Sequence, residues 1–295
     1  MKSYFDLEGD GGSNVLSQVL SLKERINHSL SEIKHIVAIG SGKGGVGKST
    51  LTMQLGSALK RQNKQVSLLD ADINGPSLAR LSGLKDVPFF PGKHGIIIPK
   101  SKEGIGVLSY GSMIPESENV DFESVATSDS HVWRATKEFS TLAEILANTV
   151  WGKLDYLLID LPPGADRCFQ FAQFLGPNTK FILVTIPSLV AQGVVMRSFT
   201  ALQKAQAKVL GRIENMSGYY CAGCDQIKPL FPDSTSPLDP LLPLLGSIPF
   251  DPELAALCDQ GRPFYESSHT RTELDLQNTV LNIESALSKL EEKTL

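Results

Sequence analysis

Gly40-Ser41-Gly42-Lys43-Gly44-Gly45-Val46-Gly47-Lys48-Ser49-Thr50 satisfies the pattern G-x-x-x-x-G-K-[ST] and places an additional lysine, Lys43, inside the loop. Glycines lack Cβ atoms, so successive backbone N–H groups can turn inward as a nest for phosphate oxygens, and the following helix presents its positive end to them. In such a loop Lys48 reaches the β- and γ-phosphates and Ser49 ligates Mg²⁺. Gly42, Lys43, Gly44, Gly45, Val46, Gly47, Lys48, Ser49 and Thr50 are therefore candidate nucleotide contacts. The flanks agree: Ile36 to Ile39 read as a buried strand, and Thr50 to Lys60 as a helix with Leu51, Leu55 and Leu59 on one face.

Outward from this loop the chain alternates strand and helix signals, which predicts an α/β fold, a doubly wound and mostly parallel sheet with helices on both faces. Strands are expected at Val66–Leu69, Gly106–Ser109, Tyr156–Ile159, Phe181–Ile186, Val209–Ile213 and Leu244–Ile248. Helices are expected around Glu138–Asn148, Gly193–Ala207, Pro252–Cys258 and Glu273–Glu292. Residues 1–34 read as a leader with a helix lined by Val15, Leu16, Val19, Leu20, Leu22, Ile26, Leu30 and Ile33, and residues 35–295 as one ATPase domain containing a cysteine segment at 214–228. Pro88 to Pro99 suggests a hairpin, Pro115 to Ser130 an acidic, Ser-rich mobile loop, and Pro229 to Pro243, with five prolines, excludes a long helix.

Two strands end in carboxylates, and ligands collect at such strand ends. In Val66-Ser67-Leu68-Leu69-Asp70-Ala71-Asp72-Ile73-Asn74-Gly75-Pro76-Ser77, Asp72 is a candidate to orient attacking water and Asp70 to support the Mg²⁺ shell. The alternative for each is a strand-end Asp serving the Asn-Gly-Pro turn. Tyr156-Leu157-Leu158-Ile159-Asp160-Leu161-Pro162-Pro163-Gly164 suits a Walker B strand, with Asp160 holding Mg²⁺ through water and Pro-Pro-Gly as a stiff switch whose Gly164 N–H can meet a γ-phosphate. Of four cysteines, Cys221 and Cys224 form a C-x-x-C, which suggests metal or redox use, whereas Cys168 and Cys258 read as core thiols.

The two-lysine loop resembles the deviant Walker A of the MinD/ParA/nitrogenase-iron-protein class, the SIMIBI type of P-loop NTPase. With Asp70-Ala71-Asp72-Ile73-Asn74-Gly75-Pro76-Ser77, Asp160-Leu161-Pro162-Pro163-Gly164, Glu214-Asn215-Met216-Ser217 before Cys221-Ala222-Gly223-Cys224, and Gly246-Ser247-Ile248-Pro249-Phe250-Asp251-Pro252, the chain is similar to the Mrp (ApbC-type) iron-sulfur carrier ATPases from Ile36 to Pro263. The resemblance implies that Lys43 crosses to the phosphates of the opposite subunit and acts with Lys48 and Asp72 in catalysis. It implies that Asn215 faces adenine, with Pro249 to Asp251 closing over the base; an Asx-type turn is the other reading of Asn215.

One chain supplies two thiolate ligands where a [4Fe-4S] cluster or structural zinc needs four, and a symmetric dimer doubles two into four. The resemblance implies that arrangement: a homodimer carrying a [4Fe-4S] cluster between Cys221 and Cys224 of both copies, using ATP and Mg²⁺, and delivering the cluster to apo iron-sulfur proteins. Alone, the C-x-x-C also fits a zinc-knuckle fragment, a redox dithiol or two unreactive thiols. A positioning ATPase without a cluster, or an ATPase with structural zinc, are the competing functions. The chain departs from the family pattern after Pro162-Pro163-Gly164, where Ala165-Asp166-Arg167 replaces Thr-Gly-Asp. The change removes a hydroxyl and adds a cation, so hydrolysis or its coupling is expected to differ.

With Lys and Arg totalling 28 against 32 Asp and Glu, the net charge of −4 disfavours a nucleic-acid partner. The polar start, Met1 to Glu8, lacks a signal peptide's basic and apolar blocks, so a cytoplasmic location is expected. The apolar stretch Phe181 to Met196 is too short to span a membrane, and Glu291-Glu292-Lys293 lacks the basic character of a membrane-targeting end, so no membrane partner is expected.

Overall fold

The computed structural model describes residues 15–113, 130–221, 223–224, 226–231, 240–262 and 270–292. In chain order its elements are α1 (Val15–Ser29), β1 (Ile33–Ser41), α2 (Lys48–Arg61), β2 (Val66–Asp70), α3 (Leu78–Leu81), β3 (Phe90–Gly92), β4 (Gly95–Ile97), β5 (Gly106–Leu108) and α4 (Ser130–Asn148). They continue with β6 (Leu154–Asp160), α5 (Ala165–Leu175), β7 (Thr179–Thr185), α6 (Leu189–Lys204), β8 (Lys208–Cys221), β9 (Gln226–Lys228), β10 (Leu244–Phe250), α7 (Pro252–Asp259) and α8 (Thr270–Glu292). The main sheet runs β10-β8-β7-β1-β6-β2-β5, with every pair along it parallel, and β9 adds antiparallel to β8. The expected hairpin forms from β3 and β4.

Strand periodicity divides the core in two. Val37 and Ile39 of β1, Leu158 of β6 and Ile182 and Val184 of β7 point to the face covered by α2 and α8, where they meet Leu51, Leu55, Val280 and Ile283. Their neighbours Ile36, Ala38, Leu157, Ile159, Phe181 and Leu183 point to the other face, against Leu142 of α4, Phe171 of α5 and Phe199 of α6. Strands buried on both faces read as unbroken apolar runs, which is why these strands were visible in the sequence. The C-terminal helix spends Leu276, Val280, Ile283 and Leu287 on the first face, with Leu290 half-buried against it.

Several boundaries differ from expectation. Ile33, expected to close the leader helix, opens β1 and pairs with Leu154, because the turn at 30–32 switches the periodicity from helix to strand. The helix expected at Gly193–Ala207 starts a turn earlier, at Leu189, and ends at Lys204. Helices α3 and α5 were not expected: α3 is a single turn, and α5 follows the Pro162-Pro163-Gly164 break directly. The loose stretch expected at 9–14, and the loop expected at 115–130 save for Ser130, lie outside the described residues, as do 232–239 of the Pro-rich segment.

At the N-terminal edge of β1, His35 is 6% exposed and its Nδ1 has no hydrogen-bond partner among the described residues; Glu291 Oε1 of α8 is 3.7 Å away. Burial lowers the His35 pKa, Lys34 and Lys180 add to the effect, and Glu291 and Asp155 oppose it. The unfolded chain therefore takes this proton at higher pH than the folded one, near pH ~6.5. Stability is full above that pH and falls as pH drops toward the lower folded value. Urea midpoints measured between about pH 5 and 8 should show this loss, and His35→Gln should flatten it.

Candidate functional site

Parallel register brings the strand tips together. Asp160, the last residue of β6, lies beside Ile39 of β1 and Asp70 of β2, at the sheet end where the loop between β1 and α2 begins. Its carboxylate is fully buried. Lys48 Nζ donates to Oδ1 at 2.6 Å, Ser49 Oγ to Oδ2 at 2.5 Å and Thr52 Oγ1 to Oδ1 at 3.1 Å. Burial pushes the Asp160 pKa up, and the Lys48 ammonium and the two hydroxyls pull it back. Thr52 was not expected in this cluster; standing one turn beyond Lys48 on α2, it shares a face with it, and that spacing was its only signal.

Within the loop, Gly42 packs against Val194 of α6, Lys43 is half-buried with its carbonyl accepting from Ser41 Oγ at 3.0 Å, and Gly44 and Gly45 are exposed. Val46 is buried and Thr50 half-buried at the start of α2. Gly47 has φ +78, and a Cβ there would stand 2.3 Å from Asn215 Nδ2, so only glycine fits on both counts. That amide, 9% exposed, donates to the Val46 carbonyl at 2.9 Å. Asn215 thus lies within β8 and binds the loop, and the bond it makes is not that of a local Asx turn.

The remaining candidates hold backbone in place. Asp70 accepts from Ser77 N, Leu78 N and Ser109 Oγ through Oδ2, at 2.9, 3.0 and 2.9 Å, and from Asp72 N through Oδ1 at 3.2 Å. Burial and the Asp160 carboxylate push its pKa up to about 7, against the Leu78 N–H and the Ser109 hydroxyl. Asp70 thereby fixes the turn that presents Asp72, whose own Oδ1 accepts from Gly75 N at 3.1 Å. Pro249 is buried in β10. Asp251 caps α7, its Oδ1 accepting from Glu253 N and Leu254 N at 3.0 and 3.2 Å and its Oδ2 from Thr272 Oγ1 at 3.1 Å.

Beyond Asn215, β8 bulges at Met216, which has φ 52, and then runs to Cys221 while β9 returns beside it, Tyr219 facing Lys228 and Cys221 facing Gln226. Cys221 ends β8 and Cys224 sits in the connection at the hairpin tip, Cys221 half-buried and Cys224 exposed, both unbridged. Hydrogen bonds from the Cys224 thiol, then from the N–H groups of Gly223 and Cys224, lower the Cys221 pKa. That favours the thiolate, the form that binds metal. Cys168 and Cys258 are buried, their thiols pushed up to about 11 by burial. No three His, Cys, Asp or Glu side chains converge on a metal position among the described residues.

A nucleotide loop tied to a strand that ends in a thiol pair is the combination against which known proteins can be compared. The ParA family model, described as NUBPL iron-transfer P-loop NTPase, matches residues 32–285. The chain belongs to this family. Among its relatives, the iron-sulfur cluster carrier protein of Methanocaldococcus jannaschii is 34% identical over 243 residues, 81% of this chain and 80% of that one. The cytosolic Fe-S cluster assembly factor NUBP2 of Bos taurus is 33% identical over 248 residues, 81% of this chain and 87% of that one. A solved nucleotide-binding protein from Archaeoglobus fulgidus, in complex with ADP, superposes with a TM-score of 0.68 at 32% identity, over 83% of this chain and 93% of its own. No helix among the described residues is long and apolar enough to cross a membrane.

The Asp70 network yields a direct test. Asp70→Ala would orphan four donors around a buried site and should cost about 2–4 kcal/mol in urea unfolding. Asp70→Asn, which keeps one acceptor oxygen, should cost less.

Proposed function

We propose that the chain is a Mg²⁺-dependent ATPase that binds a [4Fe-4S] cluster through Cys221 and Cys224 of two copies and passes it to apo iron-sulfur proteins, in the cytoplasm and without nucleic-acid or membrane partners. The observation that carries this reading is the continuity of β8: the residue bonded to the phosphate loop, Asn215, and the thiol of Cys221 belong to one strand. A change at Val46 and Gly47 on nucleotide binding would have a short path to the cysteines, one hydrogen bond to Asn215 and then the backbone of β8. Two thiols per copy leave a four-ligand cluster half-held, which favours a homodimer.

At the nucleotide end, the donors fit the expected groups. Ser49 and Asp160 offer hard oxygen atoms 2.5 Å apart at the end of the loop, the chemistry Mg²⁺ selects, and bound Mg²⁺ would neutralise charge on the β- and γ-phosphates. Lys48, now bonded to Asp160, is in reach to exchange that partner for phosphate oxygens, while the loop N–H groups from Gly42 to Thr50 cradle the rest. Lys43 is proposed to serve the partner copy's nucleotide, and Asp72 to orient the attacking water. Asn215, Pro249 and Asp251 are proposed to line the base, with Asn215 and Asp251 acting first as anchors of the loop and of α7.

Anaerobic reconstitution followed by iron and sulfide assay tests the cargo. Wild type should bind about four irons per dimer with visible absorbance, and Cys221→Ser or Cys224→Ser should lose most of them. Unchanged iron in both variants would contradict the assignment. A colourless protein holding zinc would replace it with a structural staple, and a metal-free protein with a positioning ATPase.

A further inference from the structure

Arg167 stands in the first turn of α5, where the positive end of a helix disfavours a cation. Its charge is answered from another helix. Nη2 donates to Glu138 Oε1 of α4, and Nη1 donates to Gln170 Oε1 at 3.0 Å. The guanidinium carbon lies 5.3 Å from the ring centroids of both Phe139 and Phe171, within cation–π reach of each. The Glu138 side chain is 3% exposed. Burial raises its pKa, Arg167 opposes, and the Asp72 carboxylate is near enough to push it up as well.

The same arginine borders the nucleotide switch. Gly164 has φ 119 and caps α5 without a side-chain bond, its N–H donates to the Ser41 carbonyl at 2.8 Å, and Arg167 Cγ is 3.8 Å from where a Cβ on Gly164 would stand. Residue 164 has no side chain to hold the turn. The first turn of α5 holds it instead, and Arg167 fastens that turn to α4.

We propose that Arg167 and Glu138 form a positioning pair, a latch between α4 and α5 that fixes the Gly164 N–H against the phosphate loop during ATP hydrolysis. The inference rests on the ATPase reading above. The chemistry is unaltered: the water oxygen bonds to the γ-phosphorus, the bond from that phosphorus to the β–γ bridging oxygen breaks, and the water's proton leaves to phosphate and solvent. The pair touches none of these atoms and acts on kcat by placing groups that do.

Steady-state ATP hydrolysis and direct ATP binding, on the full chain, test this with Arg167→Ala, Arg167→Lys, Glu138→Gln, Glu138→Ala and the double variant Glu138→Ala/Arg167→Ala. Arg167→Ala should lower kcat about ten-fold with KM within about two-fold. Arg167→Lys should recover only part and Glu138→Gln, which keeps an acceptor, most; Glu138→Ala should lose about as much as Arg167→Ala, and the double variant no more than either, because the pair acts as a unit. Circular dichroism and melting identify the folded variants. The latch is overturned if folded Arg167→Lys and Arg167→Ala keep wild-type kcat, if KM rises in step with the loss, or if the double variant's loss is the product of the singles. An active wild type with these outcomes overturns the latch alone; a wild type without turnover overturns the ATPase reading and the latch together.

Discussion

The Asp160 carboxylate is the point on which the nucleotide end of the molecule depends. A fully buried charge is tolerated only when its lone pairs are occupied, and here Lys48, Ser49 and Thr52 occupy them. The backbone of Asp160 is also bound, its carbonyl accepting from Ala71 N at 2.9 Å. One residue therefore ties the loop, the first turns of α2, the end of β6 and the start of the Asp72 turn into a single unit. Removing one partner of such a pair costs about 3–5 kcal/mol, so the geometry is held by the penalty of breaking it.

From that unit two arms extend. One is the Asn215 amide, which joins the loop to β8 and so to the hairpin of Cys221 and Cys224, with Gly47 as the close neighbour that makes room for it. The other is Gly164, bonded to Ser41 and carried by α5. Both arms end on carbonyls of the loop, Val46 and Ser41, and a phosphate would draw on the N–H groups of the same run of backbone. In the proposed reading, a shift of that backbone on nucleotide binding would reach the thiols at one end and α4 at the other.

Much of this was legible in sequence because it rests on local signals. The glycine loop, the unbroken apolar strands and the Asp after each declare themselves by composition and period. What stayed hidden was long-range. Ser109 and Thr52 are small hydroxyls with no motif, and their role appears only when β5 and α2 are brought to Asp70 and Asp160. Asn215 looked like a base contact or a turn, and its bond to Val46 spans 169 residues. Helix α5 was obscured by the Pro-Pro-Gly break just before it, and Arg167 stood out as an unexplained departure until Glu138 was found buried against it. Ile33 was misassigned because helix and strand periods overlap over a few residues.

The central claim is that nucleotide and thiols communicate through β8. The most direct measurement is the rate of cluster transfer from the reconstituted protein to an apo [4Fe-4S] acceptor, with ATP and with ADP, in wild type and Asn215→Ala. The account predicts that wild-type transfer differs between the two nucleotides while Asn215→Ala, loaded with the same cluster, transfers at one rate in both. Equal nucleotide dependence in the two proteins would contradict it.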